Sequence, residues 1–137
     1  MTLNISPEKM AEYRAGARQR EAARQKQLDA RFAHAWETAR QGAALLKAQF
    51  QAEKVVVFGS LLDRKLFHQR SDIDLAAWGI PQEKYLRALG CLLDMTTEFS
   101  IDLVRVEEAP ERLRLRIEND REILYPLRPI PDPTNHP

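Results

Sequence analysis

Two aspartates one residue apart set the first chemical expectation: Asp72 and Asp74, in Ser71-Asp72-Ile73-Asp74-Leu75. On a strand, alternate side chains share a face, so both carboxylates point one way while Ile73 and Leu75 point the other. Carboxylates placed like this repel each other unless a cation sits between them. Their hard oxygens suit Mg²⁺, which takes one or two carboxylates and completes its shell with water and phosphate. An Asp-x-Asp alone is a common surface feature; its company gives it weight. Upstream, Val57-Phe58-Gly59-Ser60 reads as a strand running into a turn. There glycine lets the backbone approach a phosphate, and a hydroxyl and nearby N–H groups can bind its oxygens. Downstream, Asp102 in Ile101-Asp102-Leu103-Val104 faces away from Ile101 and Leu103. If its strand neighbours that of Asp74, Asp102 can ligate the same ion or take a proton from an attacking hydroxyl. The plainer readings are an ordinary strand-ending glycine and an exposed strand aspartate.

These residues need a scaffold. Lys54–Phe58 is a β-branched apolar run and reads as a buried strand. A second strand is expected over Asp72–Trp78, bounded by Gly79 and Pro81, and a third over Phe99–Val106. Pro81-Gln82-Glu83 opens a helix whose apolar stripe is Leu86, Leu89 and Leu93, with Leu92 beside it. Leu113–Ile117 alternates as a strand would, but the Glu-, Arg- and Leu-rich composition from about Pro110 to Asn119 favours a helix. Ile123-Leu124-Tyr125 makes a short closing strand. Ahead of all this, Ser6-Pro7-Glu8 is a helix start: a cap, a proline suited to the first turn, and an acid at the positive end of the dipole. No proline follows until after Phe50, and Gly16 and Gly42 each cost about 1 kcal/mol against alanine. Leu28, Phe32, Trp36, Ala39, Ala43, Leu46 and Phe50 form one buried helical face. The preceding stretch, residues 8–27, offers Met10, Tyr13 and alanines and carries Arg14, Arg18, Arg20, Arg24 and Lys26. It is either a solvated extension or an arm that packs on a partner. The pattern leaves open whether residues 7–50 form one helix or two. The expected organisation is a helical extension (1–50), a catalytic-sized domain (51–125) and a Pro-rich, disordered tail (126–137). The fold class is α/β (α+β), a small mixed sheet with helices packed on one side.

Bulk properties narrow the field. The 137 residues, 44% of them hydrophobic, allow one domain with a modest core and little surface for a second lobe. With 21 basic and 20 acidic residues the net charge is +1, which predicts neither direct nucleic-acid binding nor a purely acidic partner. A single cysteine, Cys91, excludes an intrachain disulfide and fits a reducing cytosol. Neither a signal-like start nor an apolar run near the roughly 20 residues of a membrane span is present, and a soluble cytoplasmic protein is expected. His34, His68 and His136 lack metal-ligand spacing. Arg112, Arg114, Arg116 and Arg121 read as a solvated basic face, or else as a surface for an acidic partner or RNA held by one.

Taken together, Gly59-Ser60, Ser71-Asp72-Ile73-Asp74-Leu75 and Ile101-Asp102-Leu103 resemble the DNA polymerase β-like nucleotidyltransferase superfamily. Its pattern is a strand, Gly-Ser, a short helical turn, Asp-x-Asp on the next strand, and a third aspartate one helix later. The Ser-Asp-Ile-Asp-Leu wording looks like the minimal nucleotidyltransferase (MNT) branch, and the resemblance covers roughly Lys54 to Tyr125. One departure stands out. Minimal members commonly have Gly-Ser-x-x-Arg-Gly, with ten residues between the serine and the first aspartate. Here the chain reads Gly59-Ser60-Leu61-Leu62-Asp63-Arg64-Lys65, with eleven between. Arg64 comes one place late and the glycine is absent, so Arg64, Lys65 or Arg70 is left to neutralise triphosphate.

The resemblance implies that Asp72, Asp74 and Asp102 are catalytic and hold Mg²⁺. It implies that Gly59, Ser60, Arg64 and Ser71 bind the nucleotide, with ATP as substrate. A minimal protein of this size further resembles the MntA-type antitoxin of HEPN–MNT toxin–antitoxin pairs. In that family the MNT protein is taken to transfer AMP to a tyrosine of the HEPN ribonuclease toxin and silence it. A HEPN partner in a hetero-oligomeric complex follows, and the poorly buried first half of the long helix fits one. The alternatives are a binding-only antitoxin that masks its toxin sterically, and a small-molecule (antibiotic) nucleotidyltransferase with a pocket built by dimerisation.

Overall fold

The structure is a computed structural model and describes residues 5–127. The expected Pro-rich tail lies outside the described residues except for Pro126 and Leu127. One helix, α1 (Pro7–Phe50), runs unbroken for 44 residues. The Ser6 hydroxyl accepts the Lys9 N–H at 3.2 Å, the capping bond expected there. The helix stops at Gln51, which turns left-handed (φ 58°) and returns its N–H to the last carbonyls of the helix. At 1.5 Å per residue α1 is about 66 Å long, much longer than a four-stranded sheet is wide.

After α1 come β1 (Lys54–Phe58), β2 (Ile73–Trp78), α2 (Tyr85–Met95), β3 (Ile101–Arg105), α3 (Glu111–Asn119) and β4 (Glu122–Tyr125). The sheet order is β3-β2-β1-β4. Strands β1 and β2 are antiparallel, β1 and β4 are antiparallel, and β2 and β3, joined through α2, are parallel. The mixed sheet is therefore as expected.

The placement of helices is not. The second half of α1 and the inner side of α2 cover one face, packing Ala35, Ala39, Ala43, Leu46, Ala88 and Leu92 against Val55, Val57, Ile73, Leu75, Ile101 and Leu103. Helix α3 lies on the other face. Its Leu113 and Ile117, one turn apart, meet a second cluster of Val56, Phe58, Ala76, Val104 and Val106. A sheet with helices on one side becomes a sheet covered on both, because the outward residues of β1 and β2 are apolar too. Burying a side chain such as Leu46 or Leu75 contributes roughly 1.5–3 kcal/mol.

The stripe expected on α2 is also corrected. Leu86 and Leu93 are 77% and 47% exposed, while Ala88 and Leu92 are buried, flanked by Tyr85, Leu89 and Met95. Both sets recur at helical spacing. Gly42 of α1 decides between them: a Cβ there would lie 3.2 Å from Leu75 and from Leu92. The missing side chain is the space into which Leu92 packs. No helix of the described residues is long and apolar enough to cross a membrane.

Candidate active site

Strand β1 delivers the first part of the site. Directly after Phe58 the chain turns through a 3₁₀ turn, Gly59–Leu62. Gly59 has φ +80°, a conformation L side chains rarely adopt, and a Cβ on it would collide with the Asp74 carboxylate. Glycine is thus needed here for the turn and for the aspartate lying against it. The loop from Asp63 to Asp72 is braced locally. Asp63 accepts the Lys65 N–H at 2.9 Å, and the buried Ser71 hydroxyl accepts the His68 N–H at 2.9 Å. Phe67 is buried edge-on to Phe32 of α1, with ring centroids 5.3 Å apart.

Strands β2 and β3 deliver the acids. Their parallel register sets Asp74 directly beside Asp102, and Phe58 faces Asp74 across the β1 ladder. Asp72 sits one residue before β2 begins. Ile73, Leu75, Ile101 and Leu103 are buried on the helix side, so alternation turns Asp74 and Asp102 to the other face. Asp72 and Asp102 are exposed and Asp74 is half-buried.

The charges are mutually felt. The Asp74 carboxyl is pushed up to about 6, first by burial, then by Asp102 and Asp72, with Arg116 pulling the other way. The Tyr85 hydroxyl is raised by burial and by Asp102, and it donates to the Leu103 carbonyl at 2.7 Å. A corner that concentrates negative charge, with one half-buried carboxylate, is what a hard divalent cation relieves. Among the described residues no group of three or more His, Cys, Asp or Glu is placed to hold a metal ion. Asp72 and Asp74 offer two carboxylates, within the one or two that Mg²⁺ takes beside water and substrate phosphate.

Two hollows flank the acids under α3. One, of about 500 Å³, is lined by Gly59, Ser60, Leu62, Asp63, Leu66, Arg116 and Asp120. The other, of about 350 Å³, lies over β3 between Tyr85, Asp102, Val104, Arg105, Pro110 and Leu113. Of the residues singled out from sequence, Gly59 and Ser60 line the first hollow and Asp102 the second. Asp72 and Asp74 lie between the two without lining either, and Arg64 and Ser71 line neither. The Arg64 guanidinium bonds Asp29 of α1 at 2.6 Å and Gln25 at 3.1 Å, and Ser71 is spent closing its own loop. The cation that does face the Gly59–Ser60 hollow is Arg116, read from sequence as part of a solvated face. The signal was present: Arg116 flanks the Leu113/Ile117 stripe, so a helix docked by that stripe carries it along the sheet face that bears Asp74.

Residues 41–128 match the model of the family described as Polymerase beta, Nucleotidyltransferase. The chain belongs to this nucleotidyltransferase family. No curated protein matches its sequence. Among solved structures, one described as a toxin–antitoxin with AMP-PNP superposes with a TM-score of 0.53 at 19% identity, over 63% of this chain and 72% of that one. Another, a mutant of the toxin–antitoxin MntA–HpeT, gives 0.50 at 18% identity, over 59% of this chain and 66% of that one. At such identities the likeness is one of fold.

Proposed function

We propose that this nucleotidyltransferase is the antitoxin of a toxin–antitoxin pair. It transfers AMP from ATP, with Mg²⁺, to a tyrosine of a HEPN-type ribonuclease toxin. The observation that carries the reading is the in-register pairing of Asp74 with Asp102 beside the Gly59–Ser60 turn, with the charge of Asp72 felt at Asp74. Further support comes from the two structural neighbours, both toxin–antitoxin structures, one holding an ATP analogue.

In this reading the Gly59–Ser60 turn takes the β- and γ-phosphates, with backbone N–H groups and the serine hydroxyl as donors. Arg116, across the same hollow, offsets the charge of the departing pyrophosphate. Asp72 and Asp74 would hold the metal, which when bound neutralises the triphosphate and polarises the α-phosphate. The acceptor hydroxyl arrives from the Tyr85–Leu113 hollow and meets Asp102. Its oxygen attacks the α-phosphorus, the new O–P bond forms, the bond to the β-phosphate bridging oxygen breaks, and pyrophosphate leaves. The hydroxyl proton passes to the Asp102 carboxylate. Positioning and charge neutralisation do most of the work, as is general for such transfers.

The projecting first half of α1 favours a second reading, a binding-only antitoxin. One experiment separates the two. The protein is mixed with its co-purifying partner, ATP and Mg²⁺, and the partner is weighed intact, with Asp72→Asn/Asp74→Asn as control. Gain of AMP that disappears in the control is expected. A stable, silenced complex with no mass gain overturns the transfer reading.

A further inference from the structure

Helix α1 meets later parts of the chain as it is followed backwards from Phe50. Phe32 packs on Phe67, Asp29 holds Arg64, and Arg31 bonds the Glu98 carbonyl at 3.0 Å. Those contacts lie at the end of the sheet where β1 gives way to Gly59 and β2 begins after Asp72. Ahead of Leu28, residues 7–27 pack against no core and run on for about 30 Å of helix. The free arm therefore projects from the catalytic end of the molecule.

At the root of the arm is a cleft of about 320 Å³ between α1 and the loop leading into Asp72, lined by Arg24, Gln27, Leu28, Arg31, His68, Gln69 and Arg70. Three guanidinium groups and an imidazole line it, and no carboxylate does. Arg24 is held from outside by Glu21 at 2.7 Å. Arg31 lies 4.4 Å over the Phe99 ring, and its Nε is buried without a hydrogen-bond partner. The His68 Nδ1 accepts the Arg70 N–H at 3.2 Å, so the neutral ring carries its proton on Nε2 as a donor. Among the described residues no ion pair or hydrogen bond engages the Arg70 side chain. Planar guanidinium forks match carboxylates in pairs.

We propose that this cleft is the docking site for an acidic segment of the protein acceptor, holding it at the end of the sheet where the loop runs through Arg70 into Asp72. This rests on the reading of the protein as one that modifies another protein. Protein is favoured over RNA on three grounds. No Phe, Tyr or Trp side chain lines the cleft as a stacking platform. Glu8, Glu12 and Glu21 are interspersed among the arm's cations, a pattern that opposes a long uniform polyphosphate more than a short acidic segment. The chain as a whole carries only +1.

The test uses the full chain and two labelled probes, an Asp/Glu-rich dodecapeptide and a twelve-nucleotide single-stranded RNA, followed by fluorescence anisotropy at two salt concentrations. The peptide is expected to bind more tightly than the RNA. Its affinity is expected to fall by about tenfold or more in Arg24→Glu/Gln27→Glu, the scale of losing one charge-assisted contact. Both positions are exposed on a helix and accept glutamate, so folding is retained; Arg70→Gln provides a second variant, expected to lose affinity likewise. No peptide binding, tighter RNA binding, or undiminished peptide binding in both variants overturns the proposal. Neither ATP nor metal enters the measurement, so its failure leaves adenylyl transfer standing, and failed transfer leaves a bound peptide interpretable as docking alone.

Discussion

The two faces of the same strands are built on opposite terms. On the face under α1 and α2, Ile73, Leu75, Ile101 and Leu103 are buried among side chains that carry no charge. One residue along, on the face under α3, Asp74 and Asp102 lie side by side and Asp72 adds a third charge. The first face stabilises; the second is destabilising as it stands, because like charges are held together and one is half desolvated. Stability and chemistry are separated by the pleat of the strand, one side chain up and the next down.

Breaking the chemical face should cost the most rate and the least fold. Asp74→Asn is expected to lower turnover by about a thousandfold, the scale of removing a principal electrostatic group from an active site. Steady-state AMP transfer checks this, and near-wild-type rates would remove Asp74 from the chemistry. Breaking the packed face should do the reverse. Leu75→Ala is expected to cost about 2–5 kcal/mol in urea unfolding while the remaining folded protein stays active at low temperature. Gly59→Ala joins the two faces of the comparison, because it strains a left-handed backbone position and drives a methyl group into Asp74. A loss of about 1–2 kcal/mol, together with a fall in activity, is expected; a tolerated alanine would mean that the turn relaxes freely. The smallest effect belongs to Arg116→Ala. It should raise the KM for ATP about three- to tenfold, as befits an exposed cation, with partial rescue by lysine. An unchanged KM would leave Arg116 a surface residue.

The legibility of these regions from sequence follows the range of the interactions. Local signals read true: the Ser6 cap, the β-branched run of β1, and the alternation that turns Asp74 and Asp102 away from the core. Most of what the sequence does not show depends on contacts distant in the chain. Arg64 is taken by Asp29, 35 residues earlier, and no local pattern announces that pairing. Helix α2 offers two apolar stripes of equal periodicity, and Gly42, on another helix, selects the inner one. Arg116 looked like one of several solvated arginines until α3 was seen on the far face of the sheet. Ser71 is a local exception: its hydroxyl accepts the His68 N–H three residues earlier, within its own loop.

The claim that the acidic corner is assembled at a cost that a cation relieves is tested most directly by thermal unfolding across pH, with and without Mg²⁺. Folded Asp74 keeps its proton up to about 6, against an ordinary 3.8. Between those values the folded state binds more protons than the unfolded chain, so the metal-free protein should lose stability as pH rises from about 4 to about 6 and lose no more from this source above that. At pH 7.5 without metal, Asp74→Asn should melt above wild type. Mg²⁺ should raise the wild-type melting temperature at pH 7.5, do so much less at pH 5, and leave the variant nearly unmoved. A metal-free variant that melts below wild type, or a wild type indifferent to Mg²⁺ at pH 7.5, would contradict the account.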